Sequence, residues 1–417
     1  MYDVIAIGCG PFNLGLAALA DGVDDVRLAV LDSRPEFTWH RGLMFDDAML
    51  QVSFLADLVS LVEPAHPLSF LSYLRDNDRL YQFYVREKFH PTRREYEAYL
   101  RWCAAQLDSL HFGHHVSDVS WKGSYFELTV ERGETFAARH LVVGVGTEPA
   151  VPAALAGLPE ERFLHSADYL FRRDDLLRAG RVTVVGSGQS GAECALDLLR
   201  ANAPAVSWLT RTPSFAPLDY SKLVLEMTTP SYVDYFHPLD EPTRDKLVKE
   251  QWRHYKGISS DTLDDIHDVL YQRDLSASPV ELQCGVAVVA AVARADGIEM
   301  TLHHTDTGKT FQHLTVAVVA ATGYRNRPLP FMSTLEDRVR RDAAGRWVIN
   351  RDHSVETDDA LAGRIFVSNA DLHSHGVAAP DLGIGAIRNA TILNRIAGRE
   401  VFRLPKSTAF TSFTLPG

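Results

Sequence analysis

The chain has 417 residues, 46% apolar and 23% charged, which is material for about two to three packed domains and excludes a fibrous or disordered polypeptide. Lys and Arg total 42 against 54 Asp and Glu, a net charge of −12 with no basic run to offset it, and this excludes nucleic acid as a partner. Cys9, Cys103, Cys194 and Cys284 stand far apart with no C-x-x-C, which argues against a disulfide framework, a zinc ribbon or a dithiol redox centre and for a reducing compartment. The first apolar run, residues 4–7, follows no charged leader and is broken at once by Gly-Cys-Gly-Pro, so it reads as a buried strand. No stretch approaches the ~18 apolar residues of a membrane span, and the expectation is a soluble cytoplasmic protein with no membrane partner.

One strand–glycine–helix unit occurs twice. In the first copy a β-branched run leads into Gly8-Cys-Gly10-Pro11-Phe-Asn13-Leu and an Ala/Leu-rich helix. In the second, residues 181–185 lead into Gly186-Ser-Gly188-Gln189-Ser190-Gly191 and another such helix. The first glycine permits the tight turn, the second lets the backbone approach a pyrophosphate, and the free N–H groups of the new helix hold the anion. Asn13 occupies the third glycine position of the first copy. The strand after the first unit ends in Asp32, placed to accept a ribose hydroxyl and to repel a 2′-phosphate. The strand after the second ends in Thr210-Arg211, where a guanidinium suits a 2′-phosphate. The first site therefore suits FAD and the second NADPH.

Further along, residues 315–321 read as a buried strand running into Thr322-Gly323-Tyr324, and residues 363–369 as one more strand. A glycine-rich stretch through Asp381-Leu382 then leads into a helix from about 389, where backbone N–H groups could face a flavin ring. Residues 37–102 are dense in aromatics and mixed charge, the composition of an amphipathic helical cap.

Taken together these segments resemble the flavin-dependent N-hydroxylating monooxygenases of siderophore biosynthesis, with the lysine and diamine branch nearer than the ornithine branch. The motifs that carry the resemblance are Gly8-x-Gly10-Pro11-Phe-Asn13-Leu, Trp39-His40, Leu50-Gln51-x-Ser53-Phe-Leu-x-Asp57-Leu, Arg93-x-Glu95-Tyr96, Gly186-Ser-Gly-Gln-Ser-Gly191-Ala-Glu193, Ala321-Thr-Gly-Tyr324 and His375-Gly-Val-x-Ala-Pro-Asp381-Leu-Gly. They span nearly the whole chain. The sequence departs from the family pattern at Val316 and Ala320, both apolar strand positions that read as core variation.

The resemblance implies an α/β fold of two Rossmann-like dinucleotide-binding domains with a helical substrate-binding cap. An FAD domain would be built from residues 1–165 and 310–417, interrupted by an NADPH domain at 166–309, with segments 40–105 and 215–275 closing over the flavin. It implies cofactor contacts from Gly8, Gly10, Pro11, Asn13, Asp32, Trp39, His40, Gln51, Gly186, Gly188, Gln189, Ser190, Arg211, Thr322, Gly323, Asp381 and Leu382, no metal, and a homo-oligomer. The implied chemistry is reduction of FAD by NADPH, addition of O2 to give a C4a-hydroperoxyflavin, and attack by a small aliphatic amine, with the Gln51 amide beside the oxygen. That amine must be neutral to react, although a free alkylammonium titrates near ~10.4.

In relatives that act on amino acids the position of Ala56 is a lysine that helps bind the substrate carboxylate; here it is a methyl. A diamine, cadaverine or putrescine, is therefore expected. The alternative is L-lysine or L-ornithine, with Arg41, His254 or Lys256 replacing the missing cation. Oxidation of ketones or thioethers, and a flavin-binding module without an amine substrate, are the competing classes.

Overall fold

Each glycine turn opens out of a parallel sheet, and the two sheets define two lobes; the computed structural model describes residues 1–274 and 279–414. The first sheet has seven strands. Leu110–Phe112, Leu28–Asp32, Tyr2–Ile7 and Thr135–Val143 lie side by side and parallel, and Ile365–Val367 pairs with the far end of Thr135–Val143. The near end of Thr135–Val143 turns instead into an antiparallel meander with Phe126–Val130 and Val116–Trp121. Helices Pro11–Asp21, Arg93–Ala104 and Gly385–Ala397 cover one face through Leu14, Leu16, Tyr99, Leu100, Ile392 and Leu393. Val119, Leu128, Met332 and Leu335 help to cover the other face. With both faces covered, the strands read as unbroken apolar runs.

The second sheet is parallel throughout, in the order Val280–Gln283, Ala205–Leu209, Arg181–Val185, Ala317–Ala320 and Phe163–His165. Gln189–Arg200 and Ser260–Asp274 pack on one side, and a meander of Val286–Arg294, Gly297–His304 and Thr310–Thr315 on the other. Strand pairing thus sets the inserted lobe wider than 166–309, because Phe163–His165 and Ala317–Ala320 both belong to its sheet. The apolar run near 315 hides a change of sheet: Thr310–Thr315 ends the meander and, after Val316, Ala317–Ala320 enters the parallel sheet. The lobes are joined where Thr147–Pro149 pairs antiparallel with Tyr324–Asn326.

The segments expected to form the cap are helical, but only parts of them reach the gap between the lobes. Arg93–Ala104 buries Tyr96, Tyr99, Leu100 and Cys103 in the first lobe, and Ser260–Asp274 seats Ile266 on the second. Residue 275, the last of the second expected segment, lies outside the described residues. Within the first segment, buried Asp57 accepts hydrogen bonds from the Val59, Ser60 and Phe70 N–H groups at 3.0, 2.6 and 2.7 Å, pinning the loop that leads into Phe70–Asp76. Arg93 fastens this layer to the other lobe. Its guanidinium donates to Glu193, on the second glycine-turn helix, at 2.7 and 3.0 Å, and to the Leu43 carbonyl at 2.6 Å. Arg200 pairs with Asp47 across the same junction.

Behind the last strand, Asp371 is fully buried. Its carboxylate takes His353 Nδ1 at 2.9 Å and lies 3.5 Å from the Arg388 guanidinium; His353 stacks on His375 with ring centroids 4.2 Å apart. Asp371, His353 and His375 bring ligand atoms within 4.8 Å of one another, and buried Arg388 supplies beside them the positive charge a metal ion would bring. Burial alone would raise the Asp371 carboxyl, but Arg388, then His353 and His375, hold it well below the usual carboxylate range. Burial also lowers His353, His375 and the neighbouring His237 below the ordinary histidine value.

Two outcomes are expected. Below about pH 6.5 the unfolded chain takes up protons at these three imidazoles that the folded chain refuses, so stability falls as pH drops from 7 to 5, by up to about 1.4 kcal/mol per pH unit for each group. Urea melts across that range check it, and a flat profile would contradict it. Arg93→Ala leaves Glu193 buried without its cation and should cost about 3–5 kcal/mol of unfolding free energy, read from the same melts.

Candidate active site

The two glycine turns are built alike at their first two glycines. Gly8 N–H donates to the Leu31 carbonyl and Gly186 N–H to the Leu209 carbonyl, each at 2.8 Å. Gly8 has φ +90° and Gly186 φ +127°; a Cβ would lie 2.5 Å from the Gly144 carbonyl oxygen in the first case and 2.1 Å from that of Ala321 in the second. Each is wedged between neighbouring strands in a conformation that only glycine adopts freely. Gly10 and Gly188 are the N-caps of the following helices, with φ, ψ of −86°, 178° and −87°, 179°, and neither helix has a side-chain cap. A Cβ on Gly10 would meet nothing within 4 Å, and one on Gly188 only the Lys256 carbonyl at 3.6 Å. Uncapped N–H groups in front of open space are what a bound pyrophosphate requires, so both turns fit a dinucleotide.

The third position differs for a visible reason. Gly191 allows close packing, since a Cβ there would lie 2.4 Å from the Gly186 carbonyl oxygen. Asn13 instead donates from Nδ2 to the Gly8 carbonyl at 2.7 Å, and a Cβ on Gly144 would meet that amide at 2.5 Å. The asparagine thus braces the turn from inside, and Gly144 gives it room.

The acid and the base after the two units lie where expected, but Asp32 is already engaged. Its Oδ2 accepts the Cys9 N–H at 2.6 Å and Arg34 Nη2 at 2.8 Å; its Oδ1 accepts Arg34 N–H at 2.8 Å and Nε at 2.9 Å. Burial raises the Asp32 carboxyl, while the bonds from Arg34 and Cys9 outweigh it and leave the group below the usual carboxylate range. Asp32 therefore orders the first turn itself. Arg211 is exposed and enters no ion pair among the described residues. Lys256 is open to solvent on one side; the protein around it, then the like charge of Arg211, lower its ammonium below the usual lysine range.

Between the lobes lies a cavity of about 270 Å³. Trp39, His40, Leu50, Gln51 and Arg93 reach it from the first lobe and its cap, Gln189 and Ser190 from the second turn, Tyr220, His254 and Tyr255 from the second cap segment, and Tyr324, Asp381 and Leu382 from the late loops. Gln51 Nε2 donates to Gln189 Oε1 at 3.2 Å, so an amide of the cap touches the residue that opens the second helix. Gln189 Oε1 also accepts the Ser259 N–H at 2.8 Å, and its Nε2 donates to Glu193 at 2.9 Å. His40, at φ 47°, turns its exposed surface toward this cavity; the protein around it, then the Arg93 guanidinium, push its imidazole down to about 4. It is neutral at pH 7.

Several expected residues lie elsewhere. Thr322 and Gly323 sit at the crossing between the lobes, where the Thr322 hydroxyl donates to the Ala150 carbonyl at 2.7 Å and the Gly323 carbonyl meets His165 Nε2 at 3.0 Å. Their neighbour Tyr324 faces the cavity instead. Ala56 is buried outside the lining, about 4.0 Å from where a Cβ on Gly383 would stand. Lys256 lies with Arg211 by the second turn, away from the lining, so of the downstream pair expected at the substrate only His254 reaches the cavity. Arg93 and Tyr324 fell within quoted motifs without being given a role, Tyr255 stands between the expected His254 and Lys256, and Tyr220 carries no sequence signal at all.

The model of the L-lysine 6-monooxygenase/L-ornithine 5-monooxygenase family matches residues 1–326. The chain is 38% identical to a putrescine N-hydroxylase of Shewanella oneidensis over 424 aligned residues, covering 99% of this chain and 84% of that one. Its fold is similar, with a TM-score of 0.96 and 37% identity over 100% of this chain and 99% of the other, to the FAD-bound cadaverine monooxygenase of the desferrioxamine pathway from Erwinia amylovora. An ornithine N-hydroxylase from Kutzneria, solved with reduced FAD, NADP+ and L-ornithine, matches with a TM-score of 0.88 and 27% identity over 95% of this chain and 99% of the other. With the family model matching most of its length, matching motifs and two uncapped glycine turns, the chain belongs to the lysine and ornithine N-monooxygenase family.

Proposed function

We propose that this protein hydroxylates one primary amine of an aliphatic diamine, cadaverine or putrescine, using FAD, NADPH and O2, in the making of a hydroxamate siderophore. The observation that carries the reading is the pair of uncapped glycine turns, one per lobe, together with a cavity between the lobes where Gln51 of the cap meets Gln189 of the second turn. Similarity to a putrescine N-hydroxylase and a cadaverine monooxygenase supports the choice of amine.

The chemistry FAD supplies when bound is transfer of one oxygen atom from O2 to the amine nitrogen, the second leaving as water and NADPH providing the electrons. The chain's own residues bind, orient and exclude water. Gly10, Pro11 and Asn13 shape the N–H cradle for the flavin dinucleotide, and Gly188, Gln189 and Ser190 that for NADPH, with Arg211 facing the 2′-phosphate. Trp39, Leu50, Tyr220, Tyr255, Tyr324 and Leu382 make the wall largely aromatic and apolar, which disfavours water and an alkylammonium alike. The Arg93 guanidinium at the wall adds to the pressure on the reacting amine to lose its proton. His40, held neutral by its surroundings, adds no charge to that wall.

The reading implies a cytoplasmic enzyme, where NADPH is regenerated, and a homo-oligomer. Helix Leu80–Arg86 has no buried residue, and Tyr81, Tyr84, Val85 and Phe89 are 64–77% exposed, a face a second copy would cover.

The purified holoenzyme with NADPH and air should convert cadaverine or putrescine to the N-hydroxy product, identified by mass spectrometry, in preference to L-lysine and L-ornithine; efficient turnover of either amino acid would overturn the diamine assignment. Arg211→Ala should raise KM for NADPH about tenfold or more while changing KM for NADH little, measured by amine-dependent NAD(P)H oxidation.

A further inference from the structure

The cavity has an uneven charge inventory. Among its lining residues Asp381 is the one carboxylate and Arg93 the one arginine or lysine. Arg93 is committed, with both Nη atoms on Glu193 and one of them also on the Leu43 carbonyl. A substrate carboxylate would find no free cation there. Asp381 is the reverse case. Its Oδ1 accepts the Gly383 N–H at 2.7 Å, while its Oδ2 has only the Tyr220 hydroxyl at a long 3.4 Å and no cationic partner among the described residues. Burial pushes the Asp381 carboxyl above its ordinary range, as expected for an acid enclosed without a counter-charge.

We propose that Asp381, with the Tyr220 hydroxyl beside it, receives the distal ammonium of the diamine and so decides that a diamine, rather than a monoamine or an amino acid, is the substrate. This rests on the N-hydroxylase reading and deepens it. A diamine entering this cavity must shed one proton to react and keep the other charge at the far end. A buried ammonium needs an anion at hydrogen-bond range, and Asp381 is the one the lining offers. Tyr220 comes from the inserted half of the chain and Asp381 from its last quarter, so the receptor forms only when the two segments meet. The assignment also gives Asp381 a role toward substrate in place of the flavin contact expected from sequence.

The test uses the FAD-loaded enzyme with cadaverine, n-pentylamine and 5-aminopentanoate, amines of equal chain length that differ only at the far end. The wild type should prefer cadaverine and reject the acid. Asp381→Asn keeps the acceptor for the Gly383 N–H and removes the charge; it should raise KM for cadaverine about tenfold or more and leave KM for n-pentylamine within about twofold, collapsing the preference. Asp381→Glu should keep the diamine preferred. An unchanged KM ratio in Asp381→Asn overturns the proposal, as does a parallel rise for both amines with loss of bound flavin, which would place Asp381 at the cofactor. If Asp381→Asn does not fold, the wild-type panel decides: n-pentylamine used as readily as cadaverine overturns it. Failure of the wild type to hydroxylate any amine would overturn the N-hydroxylase reading beneath it.

Discussion

The ion pair between Arg93 and Glu193 is the constraint on which the rest of the site depends. Each lobe can build its own glycine turn, but a shared cavity exists only if the turns keep a fixed distance and orientation. Arg93 begins a helix that packs into the first lobe, and Glu193 lies one turn into the helix that starts at Gly188. Both side chains are nearly buried, at 12% and 8% exposure, so the pair is poorly screened and costly to separate. Gln51 and Gln189 sit in its shelter, and Gln189 shares the same glutamate. One bidentate contact thus aligns the cap with the second nucleotide turn.

The residues around the cavity show a division of labour that follows from dielectric environment. Ionised groups are paired and pulled into the walls, as with Arg93 and Glu193, or Asp32 and Arg34. Apart from Asp381, what remains facing the cavity is neutral: amides, a low-titrating imidazole and phenols. A site that must keep an amine unprotonated while excluding water gains from that sorting, because a fixed charge left unpaired would draw solvent after it.

How much of this was legible in the sequence depends on whether a residue acts through backbone or side chain. The glycine turns were readable because steric demand leaves few substitutes, and a β-branched run followed by Ala/Leu spacing supplies the context. The choice between the two nucleotides could be argued from Asp32 and Arg211 because each lies at a fixed offset after its turn. The occupation of Asp32 by Arg34 could not, since that bond depends on a side-chain rotamer. His254 and Lys256, expected together at the substrate, part company because residues two apart on an irregular segment face different ways: His254 lines the cavity and Lys256 lies near Arg211. Thr322 and Gly323 were expected at the cofactor from the motif alone; that the Thr322 hydroxyl and the Gly323 carbonyl also bond within the crossing depends on partners distant in sequence, Ala150 and His165. Tyr220 was invisible because nothing periodic surrounds it. The lobe boundary expected at 310 fell short because Thr310–Thr315 and Ala317–Ala320, two strands in different sheets, both belong to the inserted lobe, and the chain returns only at Tyr324–Asn326.

The ribbon of Thr147–Pro149 and Tyr324–Asn326 has a consequence for the molecule's construction. Strands paired in this way bring their backbones within about 5 Å, so the chain leaves the first lobe and returns to it at almost one point. The covalent link between the lobes is therefore a narrow two-stranded stalk, and a short loop could close the gap left by removing the second lobe. A nucleotide-binding unit attached in this manner leaves the sheet it interrupts whole, and side-chain contacts such as that of the cap's Arg93 with Glu193 fix how the two face each other.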